Sequence, residues 1–133
     1  PRSHNGQSIT VRTRRGDDLL ADEGQRTIDV LKIDVEGAEP LVLTGLKRTL
    51  QLPGLALFIE FSPGAMIRAS FDPLALLQVL EEAGFTLYEI SERGRCLEEI
   101  TTPRKLIAFL GEKGYANLLG VKDRRLTAPF KVL

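Results

Sequence analysis

Strand-like and helix-like segments alternate along this chain, and that alternation limits its fold more than any other feature. Residues 28–34 and 55–61 are apolar almost throughout, which is typical of strands that are covered on both faces. Helix-like stretches begin at Pro40 and Pro73, and proline is well tolerated at the first helical position because its missing N–H costs nothing there. Strands separated by helices of about ten residues predict right-handed crossovers and a mostly parallel sheet.

The apolar spacing and the turn residues give bounds for each element. The helix that begins at Pro73 is the best defined, because Asp72 can cap its start and Gly84 can end it. The chain has 133 residues, which is enough for one domain with its own core. We therefore predict one α/β domain over residues 1–133, with strands at residues 8–13, 28–34, 55–61, 85–91 and 116–122 and helices at 40–50, 73–83 and 103–112.

Charge and rare residues exclude several classes of protein. Lys and Arg total 18 and Asp and Glu total 18, so the chain lacks the basic excess that nucleic-acid binding usually shows. His4 and Cys96 are the only histidine and cysteine, which argues against a Cys/His zinc site, a disulfide framework or a histidine-activated nucleophile. No apolar run approaches the roughly 20 residues of a membrane span. We therefore expect a cytoplasmic protein that binds a small molecule rather than nucleic acid or membrane.

Three acidic residues are predicted to meet at the carboxyl edge of the sheet, where open α/β sheets bind their ligands. Asp34 closes the first long strand, Glu36 follows two residues later, and Glu60 lies near the end of the next strand. Such a cluster could bind a polar substrate, hold a cation or act as a base. The alternative is structural: Glu60 pairs with a nearby Lys or Arg, while Asp34 and Glu36 cap the helix at Pro40.

Residues 29–39 are Asp-Val-Leu-Lys-Ile-Asp-Val-Glu-Gly-Ala-Glu, and Val42, Leu43 and Gly45 follow. This pattern resembles the signature of the FkbM-type methyltransferases. Weaker matches in the flanks extend the resemblance over about residues 9–122. The family implies a Rossmann-like class I fold, S-adenosylmethionine as cofactor, and methyl transfer to a hydroxyl oxygen of a sugar, polyketide or other small molecule. It also implies that the last strand, residues 116–122, inserts antiparallel between the second and third long strands.

The resemblance also implies roles for the acidic residues. Asp34 and Glu36 are expected beside the methyl-donor pocket, where they bind the acceptor or take its proton. Glu60 is expected to support them from the neighbouring strand. Glu39 is a further candidate for substrate binding, although an acid at a helix N-terminus is favoured by the helix dipole without any ligand. We assign no metal ligand and no cofactor-binding residue.

In the family, a stretch like this one forms the C-terminal half of the catalytic domain. The glycine-rich cofactor turn belongs to the other half, and no two glycines of this chain are separated by a single residue. We therefore expect S-adenosylmethionine to serve the full-length parent and the isolated chain to be inactive. An open edge along residues 28–34 would then pair with a second copy, as a homodimer, or with the chain's own N-terminal segment.

Two other functions are compatible with the same residues. The chain could be a non-catalytic α/β binding module that lacks the cofactor half. It could also belong to another class of small-molecule enzyme that uses its carboxylates with a divalent ion.

Overall fold

A six-stranded mixed sheet forms the framework of the protein. The computed structural model describes residues 10–25, 27–91, 95–112 and 114–132. The strands are β1 Val30–Ile33, β2 Ala56–Phe61, β3 Thr86–Ser91, β4 Cys96–Glu99, β5 Ala116–Val121 and β6 Lys131–Val132. The helices are α1 Gly16–Asp22, α2 Glu39–Gly45, α3 Pro63–Arg68, α4 Pro73–Glu82 and α5 Pro103–Leu110, with 3₁₀ turns at Thr49–Gln51 and Arg124–Thr127.

The strand order β1-β2-β5-β3-β4-β6 places the fifth strand of the chain near the centre of the sheet. β1 and β2 pair in parallel, and β5 pairs antiparallel with both β2 and β3. β1, β2 and β3 therefore run in the same direction, as the βαβ pattern predicts. This arrangement confirms the α/β fold class of a partial Rossmann-like sheet and the antiparallel insertion of the last long strand.

The two faces of the sheet are packed differently. One face carries Leu57, Ile59 and Phe61 of β2, and the helices cover it with apolar side chains. The other face has a smaller cluster formed by Tyr88, Leu97, Leu119 and Val121. Around β1 and β2 that second face is open, since Val30 is 59% exposed and Phe58 is 37% exposed.

The helix predicted over residues 40–50 is shorter than expected. α2 ends at Gly45, and a separate 3₁₀ turn follows at Thr49–Gln51. The cause is Asp17 of α1, whose carboxylate accepts hydrogen bonds from the Arg48 and Thr49 backbone N–H groups at 2.8 and 3.0 Å. Those two amides therefore cannot continue the helical hydrogen-bond ladder of α2.

Other differences concern elements that the sequence patterns do not reveal. Residues 10–13 form no strand, and residues 8 and 9 of that predicted strand lie outside the described residues. The prediction did not include α1, α3, β4 or β6. In α3, Gly64 provides close packing, since a Cβ there would lie 1.9 Å from the Glu112 carbonyl oxygen. Among the described residues, no helix is both long enough and apolar enough to cross a membrane.

Candidate functional site

The structure brings Asp34, Glu36 and Glu60 together at one edge of the sheet. One carboxylate oxygen from each residue lies within 4.8 Å of those of the other two. The cause is the parallel pairing of β1 and β2, since Asp34 follows β1 directly and Glu60 is near the end of β2. The three residues, here called the carboxylate cluster, therefore occupy the edge where α/β sheets bind ligands.

A tightly constrained loop between β1 and α2 presents Glu36 to this cluster. Glu36 has a φ of 56°, in the left-handed region that side-chain-bearing residues seldom adopt. Gly37 has a φ of 102°, and a Cβ there would lie 2.8 Å from the backbone carbon of Ala65. Glycine is therefore required at position 37 by both conformation and close packing.

The Glu39 side chain fixes the backbone of the loop between β1 and α2 through hydrogen bonds. Its Oε1 accepts hydrogen bonds from the Val35 and Gly37 N–H groups, each at 3.2 Å. The side chain is only 1% exposed, and its Oε2 has no hydrogen-bond partner among the described residues. Substrate binding by Glu39 stays a prediction, and the contacts present in the structure give it a role in fixing the loop.

The charges of the cluster act on one another. The pKa of Glu60 is raised by partial burial first, and then by the negative charges of Asp34, Glu36 and Glu39. Lys32 Nζ donates a hydrogen bond to Asp34 Oδ2 at 2.8 Å, which raises the pKa of Lys32. Carboxylates this close can share a proton or contribute ligands to a divalent cation.

The geometry does not agree with the structural alternative for these acids. The N-cap of α2 is Ala38, and no side chain caps that helix. Within the described part of the chain, Glu60 forms no hydrogen bond or close ion pair; the nearby Lys32 is bonded to Asp34, and its positive charge lowers the pKa of Glu60 only in part against the larger effects of burial and the neighbouring acids. Neither helix capping nor ion pairing therefore accounts for Glu36 and Glu60.

A cleft of about 440 Å³ borders the carboxylate cluster. Its walls include Lys32, Asp34, Phe58, Glu60, Tyr115 and Asn117. The sequence analysis did not identify Tyr115 or Asn117 as site residues. Tyr115 immediately precedes the antiparallel strand β5 and Asn117 is its second residue, and β5 begins at the edge where β2 ends. A larger cleft of about 560 Å³ between α2 and α4 is lined mainly by apolar side chains and includes none of the cluster.

This combination of fold and site defines a class of protein. The sheet has three strands that run in the same direction, an antiparallel strand between the second and third, and acids at its carboxyl edge. This arrangement is compatible with part of a Rossmann-like methyltransferase. The sequence agrees, since the family described as "Methyltransferase FkbM domain" matches residues 2–87, more than half of the chain. The chain belongs to the FkbM methyltransferase family.

A curated relative shares part of the sequence. The protein named 2-O-methyltransferase NoeI, from Sinorhizobium fredii (strain NBRC 101917 / NGR234), is 35% identical over 72 residues. That alignment covers 54% of this chain and 29% of the relative, so the chain matches less than a third of the relative's length. No solved structure matches the chain.

The sequence has no G-x-G turn of the kind that lets a backbone approach a bound nucleotide closely. Strand β1, which would adjoin such a turn in a doubly wound sheet, lies at the edge of the described sheet. The described residues provide a group of acids and an adjoining cleft, which are suited to a polar ligand.

Proposed function

We propose that the complete protein carrying this chain transfers a methyl group from S-adenosylmethionine to a hydroxyl oxygen of a small molecule, such as a sugar or polyketide. In this proposal, residues 1–133 form the C-terminal half of the catalytic domain and supply the acceptor side of the site. Membership of the FkbM family and the relative named as a 2-O-methyltransferase support methyl transfer. The carboxylate cluster, with its oxygens within 4.8 Å at the ligand-binding edge, is the observation that carries the proposal.

In this proposal, Asp34 or Glu36 takes the proton of the acceptor hydroxyl and the other binds that hydroxyl. S-adenosylmethionine would supply the methyl group, whose bond to sulfur is exchanged for the new bond to oxygen, and S-adenosylhomocysteine would be the other product. Lys32 orients Asp34 through their 2.8 Å hydrogen bond. Glu60 assists from β2, because close carboxylates can share a proton that any one of them has taken. Correct alignment of the hydroxyl is as important as its deprotonation, since the bond to carbon forms only in a narrow range of geometries.

Two substitutions in the full-length parent test these roles. We expect Asp34→Asn and Glu36→Gln each to lower kcat/KM, by about 10²–10⁴-fold for whichever residue is the base. Glu81→Gln is the matched control, because Glu81 is an exposed acid on α4 and should leave kcat/KM unchanged. Unchanged kcat and KM in both cluster variants would overturn the assignment.

Calorimetric titration with S-adenosylhomocysteine tests whether the cofactor site of the proposed catalytic domain lies outside residues 1–133. We expect the full-length parent to bind it with about micromolar affinity and residues 1–133 to show no binding. Equal affinity of the two proteins would place the cofactor site within this chain and contradict the proposal.

A chelator tests whether the cluster works with a metal ion. We expect methyl transfer to persist in the presence of EDTA, because Lys32 already provides a positive charge beside Asp34. Loss of activity with EDTA that Mg²⁺ restores would instead assign the carboxylate cluster to a divalent cation.

We also propose that, in the isolated chain, the outer edge of β1 pairs with another strand, either from a second copy or from the chain's own N-terminal segment. β1 ends the strand order on its side of the described sheet, and Val30 is 59% exposed. Such an edge is a template for strand addition. Light scattering that shows a monomer, together with rapid amide exchange along Val30–Ile33, would contradict this.

A further inference from the structure

We propose that a second copy of this protein docks in the apolar groove between α2 and α4, so that the full-length parent forms a dimer through its helical face. In this dimer, α4 of each copy lies in the groove of the other copy, and the twofold axis runs along the helices. The groove includes none of the carboxylate cluster, so dimer formation does not depend on the proposed methyl transfer.

The groove is an apolar surface that the described residues leave uncovered. Its volume is about 560 Å³, and it is lined at its base by the buried side chains of Leu43, Leu50 and Leu76. Phe71, at one end, adds a half-buried aromatic ring. Removal of such a surface from water is favourable, so the groove is suited to an apolar ridge on another protein surface.

α4 provides a ridge of that kind. Ala75 and Val79, with Ala83 at the C-terminal cap, recur every fourth residue and therefore lie on one side of the helix. Val79 is 45% exposed although its side chain is apolar. The two alanines are small, and small side chains at a contact let two helices approach closely. A second copy can therefore place Val79 in the groove with its α4 packed along the groove walls.

Charged side chains mark one end of the groove. α2 follows β1 and α4 follows β2, and because these strands are parallel, both helices run back from the carboxyl edge of the sheet. Lys47, just after α2, and Glu82, in the last turn of α4, therefore line opposite walls at the end far from that edge. Both side chains are exposed, and neither forms an ion pair with another described residue.

These charges determine the orientation of the second copy. A twofold axis along the groove exchanges its two walls and keeps its ends in place, so Lys47 of each copy meets Glu82 of the other. A twofold axis across the groove would exchange the ends instead, and Glu82 would then face Asp72 of the other copy. Two acids would repel each other there. The groove is therefore complementary to itself in charge when the axis runs along the helices.

Sedimentation velocity on the full-length parent, at about 1–100 μM, tests whether the dimer forms. We expect a dimer that Val79→Lys weakens by about a hundredfold, because the variant places a charge without a partner in an apolar groove. Val79 is partly exposed, so the monomer should keep its fold, which circular dichroism checks. Glu81→Lys is the matched control, since Glu81 is an exposed acid next to Glu82 that does not line the groove, and it should leave the dimer intact.

Charge reversal tests the orientation. Lys47→Glu and Glu82→Lys should each weaken the dimer about tenfold, because each variant brings like charges together at both symmetric contacts. The double variant Lys47→Glu/Glu82→Lys should recover most of the lost affinity, because it restores a pair of opposite charges.

Several results would overturn this assignment. One is a dimer that survives Val79→Lys, which would use another surface, such as the outer edge of β1. Others are a double variant as weak as the single variants, or a tighter dimer in Glu82→Lys, which would fit an axis across the groove. The last is a monomer at every concentration. Slow reaction of a Val79→Cys thiol with maleimide in that monomer would then assign the groove to another segment of the full-length parent.

Discussion

Substitution of Glu39 tests how the loop that carries Glu36 is held. The Glu39 carboxylate accepts N–H hydrogen bonds from Val35 and Gly37 at 3.2 Å, near the long end of the normal range. Hydrogen bonds to a charged acceptor contribute about 1.5–3 kcal/mol each, so two long ones contribute about 3 kcal/mol. Removal of the unpartnered, buried Oε2 offsets about 1 kcal/mol of that loss. We therefore expect Glu39→Ala to lower the free energy of unfolding by about 2 kcal/mol.

Glu39→Gln is the matched comparison, because it removes the charge and keeps one oxygen for the same two N–H groups. We expect it to change the free energy of unfolding by less than about 1 kcal/mol. The measurement is urea unfolding followed by circular dichroism, with thermal unfolding as a second readout. For a chain of 133 residues, a loss of 2 kcal/mol corresponds to a fall in Tm of about 7 °C.

Two results would refute the reasoning about Glu39. If the Ala variant is as stable as the wild-type protein, the two hydrogen bonds do not hold the loop. If the Gln variant loses as much stability as the Ala variant, the negative charge, rather than the acceptor oxygen, is what the loop requires.

Two further substitutions have clear expected outcomes. The pKa of Glu60 is raised in the folded protein, so its charged form opposes folding. Protonated Glu60 stabilises the folded protein below the unfolded pKa, near 4.5, and this stabilisation is lost as pH rises through the folded pKa. Glu60→Gln should therefore raise Tm at pH 7 and have little effect below pH 4.5; a lower Tm at pH 7 would contradict this. Gly64→Ala should lower the free energy of unfolding by about 2–3 kcal/mol, because its Cβ would lie 1.9 Å from the Glu112 carbonyl oxygen. Gly54→Ala, with no atom within 4 Å of the new Cβ, should stay within about 0.5 kcal/mol, and equal losses in both variants would remove the packing explanation.

Local patterns in the sequence predict the direction of the strands better than the length of the helices. The parallel pairing of β1 and β2 follows from two apolar segments with a helix between them. The end of α2 does not follow from local sequence, because Leu46 and Leu50 suit a helix that continues. Its end depends on Asp17, which lies 31 residues before Arg48 and takes that residue's backbone N–H. The central place of β5 was predicted only through the family resemblance, since a strand's own residues do not specify its neighbours.

The candidate site was predictable to the extent that it depends on strand ends. Asp34, Glu36 and Glu60 could be grouped because parallel strands end at the same edge. Asn117 could not be added to them without knowing the register of β5 against β2. The sequence also could not predict that Glu39 is buried, since an acid at the start of a helix is equally compatible with an exposed position.

The central position of β5 also determines the order in which the sheet can be completed during synthesis. β2 and β3 do not pair with each other; β5, residues Ala116–Val121, joins them. A nascent chain that has emerged only as far as β4 therefore has two separate strand groups, each with an open edge. Such edges can pair with the wrong strand until β5 has been synthesised. The sheet can be completed only after residue 121 has left the ribosome, so these strands cannot join the sheet one by one in chain order.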